Sequence, residues 1–328
     1  MPQSDAEIKT GFATAAVAEA ARLARRIQSE LVTPALVKGD KSPVTVADFA
    51  VQALVSYRLS HFLESAVLVG EERAEALRVD SGRETLELVT QFVATAIPEA
   101  TPEKVCEWID RGGAAPAEEF WTLDPIDGTK GFLRREQYAV ALAMIRQGRV
   151  EVGVLGCPEF SKESGERGRL FAAIRGKGAW TTPLDNLKQL EPIQTSSITE
   201  PELARLLRSV ESGHTNVGGI DRLLEVLGST APPVPMDSQA KYAVLASGGG
   251  EIVVRMLSPV RPDYREKIWD QAAGSIIVEE AGGRITDLDG MPLDFSQGRT
   301  LAANRGVLAT NGYLHDATLP ALRVIDRN

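Results

Sequence analysis

Cysteine is scarce in this chain: two residues, Cys106 and Cys157, among 328. Two thiols are too few for a disulfide framework and match no clustered metal–thiolate spacing, so both read as reduced, structural thiols. Long apolar runs are also missing. No stretch approaches about 20 uninterrupted apolar residues, the length a membrane-spanning helix needs. Nor does a basic and then apolar leader open the chain. Ser4-Asp5-Ala6-Glu7 reads instead as a capping box that starts an amphipathic helix. A cytoplasmic protein of bacterial style is expected, the alternative being an organellar one whose presequence has been removed. An excess of positive charge is absent as well: 36 Lys and Arg face 45 Asp and Glu, a formal net charge of −9. Neither nucleic acid nor a membrane is therefore an expected partner, and any anionic ligand must meet a locally cationic site.

Two phosphate-handling motifs are excluded by spacing. A P-loop requires Ser or Thr after its Gly-Lys, but Gly176-Lys177 is followed by Gly178. An aspartyl-phosphate phosphatase of the haloacid-dehalogenase type places its two acids two residues apart, whereas Asp124 and Asp127 are three apart. There is no internal repeat and no low-complexity tract.

What is present is ordinary globular material, 43% hydrophobic and 25% charged, long enough for two core-bearing lobes. Helical spacing of Phe12, Ala16, Ala20, Leu23 and Ile27 predicts a first helix over roughly Asp5 to Leu31. A second runs from near Val44 to about Leu63, with Asp48 near its start. Strands are expected at 66–70, 120–123, 138–145, 150–155, 170–174 and 178–181, the later ones joined by short turns into an antiparallel meander. The polar stretch 184–197, with Pro183 before it and Pro192 within it, suggests a boundary between a lobe of residues 1–190 and one of residues 191–328. Beyond it, helices at 240–247 and 268–281 alternate with strands at 251–256, 284–287 and 306–311.

The most informative run is Asp124-Pro125-Ile126-Asp127-Gly128-Thr129-Lys130-Gly131-Phe132. Pro125 bars an ordinary helix interior, so the two carboxylates can converge on one cation. Gly128 and Thr129 then offer amides and a hydroxyl at a turn, which suits a phosphate beside that cation. A turn built from Asp, Pro and Gly for local reasons is the competing explanation. The apolar Phe120-Trp121-Thr122-Leu123 ahead of it weighs against that, because acids at the end of a buried strand need neutralising. Glu71-Glu72 follow another expected strand. Asp270 is expected in the first turn of its helix, where the dipole alone would favour an acid. The small residues Ala272, Ala273 and Gly274 after it would let that helix approach another backbone closely. Lys241, Arg255 and Lys267 flank Asp270 and, as a group, look like grips for phosphate and sugar oxygens.

Taken in order, Ser42-Pro43-Val44-Thr45-Val46-Ala47-Asp48, Gly70-Glu71-Glu72, the run from Asp124 to Phe132 and the segment Trp269 to Gly283 resemble the inositol-monophosphatase-like superfamily of lithium-sensitive, magnesium-dependent phosphatases. Lys130-Gly131-Phe132-Leu133-Arg134 and Met236-Asp237-Ser238-Gln239, with Lys241-Tyr242, most resemble its 3′(2′),5′-bisphosphate nucleotidases. The resemblance implies an α/β fold of α+β character, a layered αβαβα sandwich of the inositol monophosphatase and fructose-1,6-bisphosphatase type, with the metal site between two lobes. It implies two or three Mg²⁺ ions held by Glu71, Asp124, Asp127, Asp270 and the Ile126 carbonyl. Asp48 and Thr129, together with Glu71, would activate the attacking water, and the Gly128 and Thr129 amides would hold the scissile phosphate. Ser238, Lys241, Arg255, Lys267 and His214 would grip a small-molecule nucleotide. The implied reaction is hydrolysis of 3′-phosphoadenosine 5′-phosphate, or its phosphosulfate analogue, to AMP and phosphate. An inositol phosphate phosphatase and a noncatalytic, metal-gated nucleotide-binding regulator are the alternatives. A monomer is expected, with a dimer as the alternative. Two departures stand out: Arg135 occupies a position where the family often has Gly, and residues 191–235 carry no comparably specific motif.

Overall fold

A computed structural model describes residues 3–32, 43–161, 165–208, 217–257 and 261–326. Helix α1 (Asp5–Leu31) opens with the expected capping box, the Ser4 side chain accepting from the Glu7 amide and the Glu7 carboxylate accepting from the Ser4 amide. Helix α2 (Pro43–Phe62) follows, buried on nearly every side by Val46, Ala47, Phe49, Ala50, Val51, Leu54 and Val55. Then come β1 (Leu68–Gly70), α3 (Arg83–Ala94), α4 (Pro102–Asp110), β2 (Glu119–Asp127), α5 (Thr129–Arg134), β3 (Ala139–Arg146), β4 (Arg149–Ser161), β5 (Arg167–Ile174), β6 (Gly178–Pro183) and β7 (Glu191–Pro192). The remainder holds β8 (Leu206–Arg208), α6 (Val217–Leu227), β9 (Val234–Pro235), α7 (Ala240–Ala246), β10 (Ile252–Arg255), α8 (Ala272–Glu280), β11 (Arg284–Thr286), β12 (Val307–Thr310) and α9 (His315–Asp326).

Among the described residues these strands form two sheets. The first has seven strands in sequential order, β1 to β7, and the second has five in the order β11-β12-β10-β8-β9. Three cores fix the layers. On one face of the first sheet, Val140, Leu142 and Met144 pack with α1 and α2. On the other face, Ala141, Ala143 and Ile145 share a core with α7, α8 and one face of the second sheet, through Leu207, Val253 and Ala309. The opposite face of the second sheet, with Leu206, Ile252 and Val254, packs on α6 and α9. The period-2 alternation of each strand therefore feeds two cores at once, and the result is the αβαβα order.

Small residues allow the central layer to seat closely. A Cβ at Gly153 of β4 would lie 2.4 Å from Ile276 Cγ2 and 2.8 Å from the Ala273 carbonyl, and one at Gly274 would lie 2.1 Å from Tyr242 Cδ2. We expect Gly153→Val to cost about 3 kcal/mol by overpacking this joint, measured by denaturant unfolding; an unchanged midpoint would show that α8 does not need the contact. Cys106 and Cys157 are both free and buried. Among the described residues no helix is long and apolar enough to cross a membrane.

Two local expectations need correction. An acid at the start of α2 could be explained by the helix dipole alone, but Asp48 lies in the second turn of a helix that begins at Pro43 and carries no acid in its first turn. Helix α8 begins at Ala272 rather than near Ile268, and Asp270 belongs to the preceding turn, where the Ala272 amide bonds the Ile268 carbonyl at 2.9 Å. Arg135 explains its own position: it ends α5 with φ 58 and ψ 34, the left-handed conformation that glycine adopts most cheaply. Its guanidinium reaches back to the Val32 carbonyl.

Candidate active site

Strand pairing builds the acidic wall. Strands β1 and β2 run parallel with Gly70 opposite Leu123, so both end at the same edge and Glu71 emerges beside Asp124. Antiparallel pairing of β2 with β3 slips by one residue between Asp124, opposite Ala141, and Asp127, opposite Ala139. In a regular strand, residues three apart face opposite ways; the bulge inserts one extra residue and restores both acids to one side. Pro125, without an N–H, sits within that irregular stretch. Gly128 follows with φ 91, and a Cβ there would stand 2.7 Å from Ser238 Cβ. Glycine is required on both counts.

These elements enclose a cavity of about 300 Å³. Glu71, Asp124, Asp127 and Asp270 line it together with Ile126, Gly128 and Thr129, while Ser238, Lys241 and Arg255 face them from the C-terminal half. Asp48 is buried beside this wall, near enough to Asp124 and Glu71 to repel both. Lys267 is not part of the cavity lining; its ammonium lies 5.8 Å from the Trp269 ring centroid and favours the charge on Glu71. His214 and Ser42 lie outside the described residues.

Burial comes first among the causes that raise the carboxyls of Asp48, Asp124, Asp127 and Asp270, with repulsion from neighbouring acids next for all but Asp127, where Lys241, Gln239 and Arg255 pull the other way. Glu71 is open to water in the cavity yet deep among protein atoms. Desolvation, then repulsion from Glu72 and Asp127, pushes its carboxyl up to about 7. Glu71 lies close enough to Asp124 to raise its carboxyl, and a cation held between the two would relieve that repulsion. Asp124 Oδ1 is buried with no hydrogen-bond partner. The acids do not form a closed cage: among the described residues no three His, Cys, Asp or Glu side chains are gathered as a ready ligand set. Even so, an orphaned buried oxygen within an all-oxygen donor set fits a hard divalent cation.

On the facing wall, Arg255 Nε lies 3.0 Å from Glu266 Oε2, an ion pair that lacks hydrogen-bond alignment and keeps the guanidinium charged. Lys241 is buried, and desolvation, then Arg255, lowers its ammonium to about 8 against the opposing pull of Asp127 and Asp237. Several contributors were given no role in the sequence reading. Gln239 donates its amide to Asp127 Oδ2 at 2.6 Å, while its side chain bonds the Trp269 carbonyl at 2.9 Å and the Gly274 amide at 3.1 Å. The fully buried Gln52 of α2 holds the Glu72 amide at 2.9 Å and the Ile109 carbonyl at 2.7 Å, fixing the turn that carries Glu71. Tyr264 lines the cavity, its phenol pushed up to about 12 by burial and by Glu266. Arg134 pairs with Asp237 and ties α5 to the segment before α7. Asp237 and Gln239 stood within a segment that carried the resemblance, but nothing in their spacing declared these bonds.

A model of the inositol monophosphatase family matches residues 4–326. The chain belongs to the inositol monophosphatase family. Members of this family are metal-dependent phosphatases, which agrees with the donor set described above. Among similar proteins, the 3′(2′),5′-bisphosphate nucleotidase of Oryza sativa is 42% identical, covering 94% of this chain and 91% of the relative. The one of Emericella nidulans is 39% identical, covering 96% and 97% respectively. Among solved structures, an inositol monophosphatase from Anabaena (Nostoc) sp. PCC 7120 superposes with a TM-score of 0.65 at 21% identity, over 98% of this chain and 97% of that one. At that identity the likeness establishes the fold, and the layered sandwich is this family's architecture.

Proposed function

We propose that this family member is a Mg²⁺-dependent 3′(2′),5′-bisphosphate nucleotidase that hydrolyses the 3′-phosphate of 3′-phosphoadenosine 5′-phosphate to give AMP and phosphate. The observation that carries the reading is the pairing of walls: four acids face the buried Lys241 and the part-buried Arg255 across one cavity. A substrate with two phosphates uses both walls, whereas a monophosphate uses one. Full-length likeness to proteins named as bisphosphate nucleotidases supports the same substrate class.

In this reading Glu71, Asp124, Asp127, Asp270 and the Ile126 carbonyl hold the metal, which when bound acidifies water and neutralises phosphate charge. Thr129 and Asp48, together with Glu71, orient and activate the attacking water. The Gly128 and Thr129 amides receive the scissile phosphate. Lys241 and Arg255 take the second phosphate, Ser238 fixes the sugar, and Lys267 reinforces the positive field beside Trp269. We further propose that the division into lobes falls near residue 191, which gives the acids, apart from Asp270, to the first lobe and the cations to the second.

Phosphate release with Mg²⁺ from 3′-phosphoadenosine 5′-phosphate, inositol 1-phosphate and AMP tests the reading. Strong preference for the first is expected. Preference for the inositol ester would keep the metal wall and remove the nucleotide assignment, and no release from any would leave a binding protein. Lys241→Ala is expected to raise KM for the bisphosphate about 10–100-fold with a smaller change in kcat, because a charge-assisted contact to a non-reacting phosphate is lost. A fall in kcat alone would move Lys241 from substrate grip to chemistry.

A further inference from the structure

Arg299 lies in the segment between β11 and β12, far in sequence from Glu71. Its guanidinium donates to the Gly70 carbonyl and, at 3.4 Å, to the Gly112 carbonyl. The same group lies over the Trp269 indole, 4.8 Å from the ring centroid. Gly70 immediately precedes Glu71, and Trp269 immediately precedes Asp270. One side chain thus touches the residue ahead of each of two acids contributed by opposite halves of the chain.

The backbone around Arg299 is fixed to the same turn. The Ile268 amide donates to the Arg299 carbonyl at 3.2 Å and the Leu301 amide to the Glu266 carbonyl at 2.9 Å, with a bridge between Lys267 and Thr300. Arg299 therefore moves with the Asp270 turn while its in-plane N–H groups hold the end of β1. A planar guanidinium can do both at once, donating along its edge while its face stacks; an ammonium cannot.

We propose that Arg299 is a positioning residue that sets the separation of Glu71 from Asp270 and thereby the affinity of the acidic wall for a divalent cation. The proposal rests on the reading of that wall as a metal site. It predicts that loss of the clamp weakens cation binding without removing any ligand.

The experiment is Mg²⁺ titration by calorimetry of the full chain and of Arg299→Ala and Arg299→Lys, well below the unfolding temperature and with circular dichroism confirming the fold. The Mg²⁺ concentration for half-maximal phosphate release is measured alongside. Arg299→Ala is expected to weaken Mg²⁺ binding about 10–100-fold, the range found when a group supporting a metal ligand is removed. Arg299→Lys, which keeps one donor and loses the stacking face, should fall in between. At saturating Mg²⁺ the nucleotide KM should stay near the parent value. An unchanged Mg²⁺ dissociation constant in Arg299→Ala, or in Arg299→Lys if the alanine variant does not fold, overturns the proposal while leaving the metal site intact. A parent chain that binds no Mg²⁺ overturns the metal reading and this inference with it.

Discussion

Asp127→Asn is expected to lower phosphate release by about 10³-fold or more, a loss of roughly 4 kcal/mol of transition-state stabilisation, while the fold survives. The amide keeps the shape of the carboxylate and an oxygen able to accept from Gln239, whose amide lies 2.6 Å from Asp127 Oδ2. What it loses is the charge that the proposed site would present to the metal. Stability should move the other way. Burial raises the Asp127 carboxyl above its ordinary range, so the anion is disfavoured in the metal-free fold despite Lys241, Gln239 and Arg255. Metal-free Asp127→Asn should therefore unfold at a temperature equal to or above that of the parent chain. Near-parental activity would sink the site assignment, and a collapse of unfolding temperature would show that Asp127 holds the structure rather than the reaction.

Chelation should have a comparably large effect, with a pH dependence whose sign is fixed. Asp48, Asp124 and Asp270 have carboxyls raised well above the ordinary value, and that of Glu71 stands near 7. The folded chain therefore binds more protons than the unfolded one, and stability falls as pH rises through the folded values. For Glu71 the window runs from its unfolded value of 4.5 to about 7. In a chelator the unfolding temperature should drop between about pH 6.5 and pH 8, above the range in which His315, lowered by burial to about 4, adds stability with rising pH. Mg²⁺ binds the ionised acids, so it should restore stability most at the alkaline end. At a concentration of 100 times its dissociation constant it adds about 2.7 kcal/mol, or roughly 4 °C for a chain of this size. A metal-free unfolding temperature that climbs with pH over this range would contradict the repulsion on which the metal assignment rests.

Much of the fold was legible because local pattern and tertiary demand agreed. The capping box, the alanine-lined face of α1 and the apolar runs of β3 to β5, buried on both faces, each state their burial in the local sequence. The acid run was legible for a related reason: Pro125 restricts the backbone beside Asp124 while Gly128 permits a positive φ after Asp127, and the pair betrays a special geometry. The start of α8 was misplaced because the apolar pattern continues back to Ile268, while a turn governs the backbone around Asp270. Periodicity reports which face is buried, and it says nothing about where hydrogen bonding becomes helical.

By itself the sequence determined the layered αβαβα class, the family, and the acids and cations that line one cavity, since these depend on residue type within short, constrained segments. Only the tertiary structure decided how they meet. The bulge that turns Asp127 to the side of Asp124 is a matter of register between β2 and β3. The bonds from Gln52 to Glu72, from Gln239 to Asp127 and from Arg299 to Gly70 join residues 20, 112 and 229 positions apart. Contacts between residues so distant in the chain leave no local periodicity or spacing, because they arise when separately folded elements pack and their buried polar groups must find partners.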